Sequence, residues 1–293
     1  MNLLPAVQQP NNTTVLYHGH CPDGFCAAFM MHCRLPEAGY LACHYDVPVH
    51  IEDLTGRHVI LVDFSLPRQQ LLDLRAKAAS LVVLDHHKTA EADLAGLDFC
   101  RFDQQCSGAV MAFQEIRQYL APGTPFTKLE MLSNYVQDRD LWTWRLPDSR
   151  AVSAGLDLWP RDFAQWAWEI AVDRNADALM NRLIQNGTMV LQRDLIVQGR
   201  IAEHVRFGIF CGVRAAVINT SVFVSEMTDR FGEEVDVVVS WHQQQNGTFR
   251  YSLRTRGNSM VDASDLAQRF GGGGHAHAAG FVTDQMVPFV PDR

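Results

Sequence analysis

The stretch Leu81–Ala90, "LVVLDHHKTA", decides how the chain is read. Four apolar residues, Leu81 to Leu84, run directly into an acid, Asp85, and two adjacent imidazoles, His86 and His87. A continuous apolar run of this length fits a strand buried on both faces. Its polar end is either a metal and phosphate site or a capped strand end. Taken singly, an acid or imidazole at a strand end is most often a turn or cap residue. Adjacent side chains on an extended strand also point to opposite faces, so His86 and His87 need a turn there or have different roles.

Neighbouring segments repeat the pattern. "TTVLYHG" and "RHVILVDFS" read as strands that end at His18 and Asp63, and "YLACHYD" reads as a further strand. Between them lie the helical patterns "DGFCAAFMMHCRL", "PRQQLLDLRAKAA", with Pro67 near its first turn, and "SGAVMAFQEIRQYL". Strand–helix alternation with apolar strands predicts an α/β fold, an N-terminal doubly wound, mainly parallel sheet covered on both faces. In such sheets ligands bind at the carboxyl ends of the strands. Three strands bring His18, Asp63 and Asp85–His87 to that edge.

Residues Thr127–Val205 read as mostly helical, and "NADALMNRLIQNGTMVLQRDLIVQGRIAEHV" as one or two long helices able to bridge two domains. From Phe207 the pattern changes. "FGIFCGVRAAVINT", "EEVDVVVSWHQQ" and "NGTFRYSLRTR" read as strands, "FVSEMTDRFG" and "DASDLAQRF" as helices, together a smaller α+β unit. The expected division is a catalytic domain over 1–175, a helical linker over 176–206 and a substrate-binding domain over 207–293.

Composition narrows the function classes. The chain has 293 residues, 47% hydrophobic and 20% charged, with a formal net charge of −8. That balance argues against a protein that coats long duplex DNA, where lysine and arginine must replace counterions. It leaves room for a small phosphorylated ligand in a local basic pocket. No apolar run reaches membrane-span length, and "MNLLPAVQQPNN" lacks the charged and apolar regions of a signal peptide. Seven cysteines without framework spacing read as reduced thiols. The expectation is a cytoplasmic protein with no membrane partner; the sequence leaves a homodimer open.

His18, Asp23, Asp63, Asp85, His86, His87 and Asp138 form a mixed oxygen and nitrogen donor set. Carboxylates favour Mg or Mn, and imidazole shifts the balance toward Mn, Fe, Co or Zn. Two ions a few Å apart clamp an in-line displacement at phosphorus, and Asp63, alone at its strand end, suits a bridge between them. In "RFGGGGHAHAAG", Arg269–Gly280, the glycines could turn backbone N–H groups toward an anion or form a hinge. It is neither a Walker A loop nor a dinucleotide fingerprint. The arginines of "YSLRTRG" match phosphate oxygens. Trp142 and Trp144 fit core or interface positions better than a base-stacking site.

Together these pieces resemble the DHH phosphoesterase superfamily, in its branch with the DHH-associated C-terminal domain. "HGHCPDGFCAA", "VDFS", "LDHHKT" and "YVQDRDLW" are similar to four family motifs in order, and "SLRTR" through "GGGGHAHAAG" to the C-terminal signature. The resemblance implies a two-ion site, usually Mn2+, in a cleft between two domains. It places His18, Asp23, Asp63, His86 and Asp138 on ligand positions, with Asp63 bridging, and leaves Asp140 as the alternative to Asp138. It gives Asp85 a supporting role behind His86 and sets His87 against the scissile phosphate. Ser107, Arg254, Gly272, Gly273, Gly274 and His275 fall on or near substrate-binding positions. One position departs from the family: many members carry an acid where this chain has Cys21. Either Cys21 or His20 then supplies the missing donor, or that ion keeps more water.

The expected activity is hydrolysis of linear dinucleotides or very short oligonucleotides, including linear products of cyclic dinucleotide breakdown, without long nucleic acid as substrate. The rivals are an exopolyphosphatase or pyrophosphatase and a catalytically weakened nucleotide-binding sensor.

Overall fold

The computed structural model describes residues 3–45 and 47–292. Two compact units divide the chain, Met1–Leu191 and Gln192–Arg293.

The first unit is built on five strands, β1 (Thr13–His18), β2 (Gly39–Cys43), β3 (His58–Val62), β4 (Ser80–Asp85) and β5 (Cys100–Phe102). Its helices are α1 (Leu4–Gln8), α2 (Pro22–His32), α3 (Arg68–Lys77), α4 (Lys88–Asp93), α5 (Gly108–Ile116), α6 (Phe126–Asp140), α7 (Ser149–Leu156), α8 (Phe163–Val172) and α9 (Ala176–Ala202). Every pairing in the sheet is parallel, in the order β2-β1-β3-β4-β5. The chain therefore leaves β1 toward one edge and returns to build β3, β4 and β5 on the other side. That reversal lies between β1 and β3, where an open α/β sheet has a crevice at its carboxyl edge.

Period-two alternation splits the strands between two cores. Val15, Ile60, Val62, Val82 and Leu84 pack with α2, α5 and α6 through Phe25, Phe29, Met111, Phe113, Leu129 and Leu132. Leu16, Val59, Leu61, Leu81 and Val83 face the other way, against Leu71 and Leu74 of α3 and against Leu54 and Leu94. The run "LVVL" is apolar without a break because both of its faces are covered.

The segment expected to link domains is one helix, α9, and its first half packs into this unit with Leu179 and Leu183 buried. It crosses α7 at two glycines. A Cβ on Gly187 would lie 1.7 Å from the Ala151 carbonyl oxygen, and one on Gly155 would lie 2.3 Å from that of Leu183.

The second unit carries β6 (Arg206–Phe210), β7 (Val213–Asn219), β8 (Val237–Gln243), β9 (Phe249–Arg254), β10 (Gly273–His275), β11 (Ala278–Thr283) and β12 (Phe289–Pro291), with helices α10 (Val224–Phe231) and α11 (Ala263–Gln268). Its sheet runs β10-β11-β9-β8-β7-β6-β12 and is antiparallel except for the β7–β8 pair. One face packs on α11, where Leu266 and Ala267 meet Tyr251, Leu253, Ala279 and Phe281. The other packs on α10 through Met227 against Ala216, Ile218 and Val238. The glycine-rich stretch is a hairpin here, because Gly273, Gly274 and His275 pair with Gly280, Ala279 and Ala278. No helix among the described residues is long and apolar enough to cross a membrane.

The glycine crossing gives a stability test. Gly187→Ala is expected to destabilise the protein by on the order of 1–3 kcal/mol, because a methyl group there meets backbone rather than a side chain that can rotate away. A lowered urea midpoint with an unchanged slope would show it; an unchanged midpoint would mean that α7 and α9 separate at little cost.

Candidate active site

Asp63 follows β3 directly and has φ of +52°, the left-handed region that Asp tolerates better than most residues. Its N–H still donates to the Leu84 carbonyl at 2.9 Å, so the chain turns while tied to β4. The turn buries the carboxylate, which is 1% exposed. Its two oxygens face two different imidazoles: Oδ1 lies 3.1 Å from His86 Nε2, and Oδ2 lies 3.5 Å from His18 Nδ1. Burial alone would raise the Asp63 pKa, yet His18, His86 and His87 hold it below the usual carboxylate range.

Around His86 Nε2 two further acids converge, Asp140 Oδ2 at 3.5 Å and Asp23 Oδ2 at 3.8 Å. Burial disfavours a charged His86, but Asp63, Asp140 and Asp23 together push its pKa up to about 10. Burial, together with the Asp63 charge, raises the carboxyls of Asp23 and Asp140. Asp23 is anchored at the start of α5, where its oxygens accept from Gly108 N at 2.6 Å and Ala109 N at 3.0 Å. A carboxylate at a helix N-terminus meets unpaired donors and the positive end of the dipole.

Close approach requires glycine at two points. A Cβ on Gly108 would lie 2.4 Å from Asp63 Cβ, and one on Gly24 would lie 2.3 Å from the His18 carbonyl oxygen and 3.0 Å from Asp63 Oδ2. Both helices can therefore press their first turns against Asp63.

Asp85 acts differently from expectation. Its Oδ1 accepts from His86 N at 2.8 Å and lies 2.7 Å from His87 Nδ1, while Oδ2 accepts from Ser65 Oγ. Asp85 thus steadies the backbone of His86 and the ring of His87, not the ring of His86. β4 ends at Asp85, and beyond it the His86 and His87 rings meet edge to face, centroids 4.9 Å apart, with His86 Nε2 on Asp63 and His87 Nδ1 on Asp85. Burial would lower the His87 pKa, but Asp85 pushes it up to about 9. Asp85 thus holds the His87 ring at Nδ1.

Two placements are corrected. Asp138 is turned away from the cluster: its carboxylate accepts from Thr143 Oγ1, from Arg145 N at 2.9 Å and from Leu146 N at 3.0 Å, fastening the turn after α6. Asp140, two residues on, reaches His86 instead. Residues two apart on a helix differ by about 200° in direction, so only one of the pair can face the site. Ser107 is fully buried and caps α5, its Oγ accepting from Val110 N at 3.5 Å and its N–H donating to Gln137 Oε1 at 3.0 Å. It positions the helix that grips Asp23 and is not open to a ligand.

Of the two residues weighed at the departing position, the structure brings Cys21 to the cluster. Donor atoms of His18, Cys21 and Asp63 all lie within 4.8 Å of one another, as do those of Asp23, Asp63 and His86. The His20 ring lies tilted against that of His44, centroids 4.5 Å apart. Burial and the acids Asp63, Asp140 and Asp23 push the Cys21 thiol up. Sequence reasoning missed Ser65, although it sits in the quoted "VDFS", and Tyr45. The Tyr45 ring stands 5.3 Å from that of His18 and 6.1 Å from that of His87, from a loop with no sequence signal.

These residues fit a divalent metal centre. Three carboxylates crowd one buried spot, and two of its polar atoms, His18 Nδ1 and Asp63 Oδ2, are buried without a hydrogen bond. Unsatisfied buried donors and acceptors are costly, and a cation would meet both.

In the second unit Arg254, Ala278 and His275 are register partners on β9, β11 and β10 and so share one face of the sheet. The next row on that face is Ser252, Gly280 and Gly273. Small side chains thus form a floor between Arg254 and His275, whose backbones stand two strand spacings, or about 10 Å, apart. Arg254 Nε donates to Ser225 Oγ at 3.0 Å, and burial lowers its pKa. Gly272 and Gly274 are explained by packing, since a Cβ would meet Gly280 O at 2.2 Å and Ala278 O at 2.5 Å respectively; at Gly273 it would meet open space.

A parallel α/β unit with a buried carboxylate–imidazole centre at its switch point, joined in one chain to a mixed-sheet unit, defines the class. Residues 215–289 match the family model described as DHHA1 domain. The match covers the C-terminal unit, and together with the relatives below it supports the DHH phosphoesterase superfamily, in the branch that carries this domain. Among curated relatives it is 26% identical over 304 residues to the uncharacterized protein R106 of Acanthamoeba polyphaga mimivirus, covering 94% of this chain and 69% of that protein. It is 23% identical over 230 residues to the oligoribonuclease NrnB of Bacillus subtilis (strain 168), covering 70% of this chain and 53% of that protein, about half its length. A solved DHH domain, described as PF0399, a member of the s1p family of ribosomal proteins, shares the fold with a TM-score of 0.65 at 13% identity, over 95% of this chain and 84% of that one.

The two aspartates of α6 separate by opposite signs. Burial disfavours the Asp138 charge, but its accepted hydrogen bonds hold the pKa below the ordinary value. A depressed folded pKa contributes stability that is present above about pH 4 and lost as pH falls through the folded value. Asp138→Asn is expected to cost about 1–3 kcal/mol at neutral pH, the difference shrinking in acid. Asp140→Asn removes a charge that burial disfavours, so the metal-free variant should melt no lower than wild type while losing the stabilisation that a divalent ion confers. Thermal melts with and without Mn2+ check both.

Proposed function

We propose that the protein is a metal-dependent phosphodiesterase that cleaves linear dinucleotides or very short oligonucleotides, such as linear products of cyclic dinucleotide breakdown, to mononucleotides. The carrying observation is Asp63, whose two oxygens face His18 on one side and His86 on the other. A carboxylate so placed is suited to lie between two ions, one with His18, the other with His86, Asp140 and Asp23. Bound divalent ions, Mn2+ being the expected one, would supply the charge that activates water and neutralises the phosphate.

The chain's own groups divide the remaining work. Asp85 holds His87 Nδ1, so Nε2 can donate to a non-bridging phosphate oxygen or pass a proton to the leaving alkoxide. Ser65 holds Asp85. In the second unit Arg254 and His275 flank the floor of Gly273, Gly280 and Ser252, a surface that suits a phosphate with its sugar against it. The likeness to an oligoribonuclease supports short nucleic acid as the substrate class.

Incubation with Mn2+ and, separately, a labelled dinucleotide, a longer oligonucleotide, polyphosphate and a cyclic dinucleotide tests the assignment. Turnover of the dinucleotide is expected to exceed that of the longer strand. Cleavage confined to polyphosphate, or binding of nucleotide without turnover under any divalent ion, would overturn it. His87→Ala is expected to lower kcat by about 10²–10³ with KM little changed, as for loss of a group that acts on charge developing in the transition state.

A further inference from the structure

We infer that the position bounded by His18, Cys21 and Asp63 binds its ion through the Cys21 thiolate, and that it selects a borderline-soft divalent cation of the zinc, cobalt or iron(II) class. The inference rests on the metal-centre assignment above and goes beyond it, since it makes the two ion positions chemically unlike.

Three segments meet here: His18 closes β1, Cys21 precedes α2, and Asp63 follows β3. Their donor atoms lie within 4.8 Å of one another. Zinc-type ions hold sulfur at about 2.3 Å and nitrogen or oxygen at about 2.0–2.2 Å in a tetrahedron, so ligand atoms on one ion stand about 3.5 Å apart. The three atoms can therefore close on one ion with small side-chain adjustments.

A cysteine alone would carry nothing. The independent sign is that the other two donors are unsatisfied. Asp63 Oδ2, on a side chain 1% exposed, and His18 Nδ1 are both buried without a hydrogen bond. Cys21 is also the N-cap residue of the 11-residue helix α2, with extended backbone at φ −105° and ψ 130°. Its sulfur meets the Gly24 N–H in the first turn of α2, the donor end of the helix, which offsets only part of what burial and the neighbouring acids do to favour the thiol, so the charge of a bound cation is what would hold the thiolate. On binding, the ion takes the place of the thiol proton, which leaves to solvent, and a sulfur–metal bond forms without any redox change.

The second position differs in kind. Asp23, Asp63 and His86 supply two oxygens and a nitrogen there, with Asp140 a third oxygen 3.5 Å from His86 Nε2. Thiolate draws zinc, cobalt or iron, whereas carboxylate-rich sets suit Mn or Mg. A mixed pair of ions follows, with Asp63 common to both.

Cobalt(II) titration of the full chain reads this without an activity assay. Wild type should show a sulfur-to-cobalt charge-transfer band in the near ultraviolet together with visible ligand-field bands. Cys21→Ser should lose the charge-transfer band, keep ligand-field absorption from the other position, and bind zinc at least about 10-fold more weakly, since loss of even an indirect support costs that much. Cys21→Asp should raise the proportion of Mn retained, by elemental analysis after dialysis against equal zinc and manganese. Ligand-field absorption without a charge-transfer band in wild type would overturn the thiolate ligand and leave the metal centre standing. No cobalt absorption at all would overturn both. Circular dichroism of each variant separates loss of a ligand from loss of fold.

Discussion

Asp63 has to remain a carboxylate where water cannot reach it. Three imidazoles hold it ionised from different directions, His18 from β1 and His86 and His87 from the end of β4. That arrangement exists only because β1, β3 and β4 are adjacent parallel strands whose carboxyl ends stop at the same level. A shift of one residue in either register would move the donor onto the opposite face of the sheet. The apolar runs on both sides of the sheet fix that register by burying alternate residues in two separate cores.

The rest of the first unit is arranged around this charge. α2 and α5 approach it closely enough that only glycine fits at Gly24 and Gly108. α5 also supplies the N–H groups that hold Asp23, and Ser107 with Gln137 holds α5. Ser65 and Asp85 form a line behind His87. Asp23, Asp85 and His87 have few alternative rotamers, because each is bonded to a group that is itself held in place. Such preorganisation lets a centre hold several like charges close together before any ligand arrives. The metal-free centre stores repulsion among Asp23, Asp63 and Asp140, which an entering cation relieves.

The second unit is arranged differently. Arg254 and His275 fall in one register row on one face, and the strand between them, β11, carries only small residues there, Ala278 and Gly280. The glycines at and just before β10 serve two ends: Gly272 and Gly274 let the hairpin close against β11, and Gly273 keeps the floor open. The glycines of this run therefore have separate structural reasons.

The sequence by itself determined the parallel α/β architecture, because unbroken apolar runs between helical patterns can be satisfied only by a sheet covered on both faces. It also brought His18, Asp63 and Asp85–His87 to one edge, since strand ends in such a sheet share a direction. Tertiary structure alone decided which of Asp138 and Asp140 enters the site, as both lie in one helical turn and direction depends on how α6 is rotated against α5. It alone showed Ser107 to be a buried cap and paired Asp85 with the His87 ring. It also set Tyr45 beside His18 and chose Cys21 over His20. Those are matters of side-chain direction and of contacts between segments distant in sequence, which neither hydrophobic periodicity nor motif spacing encodes.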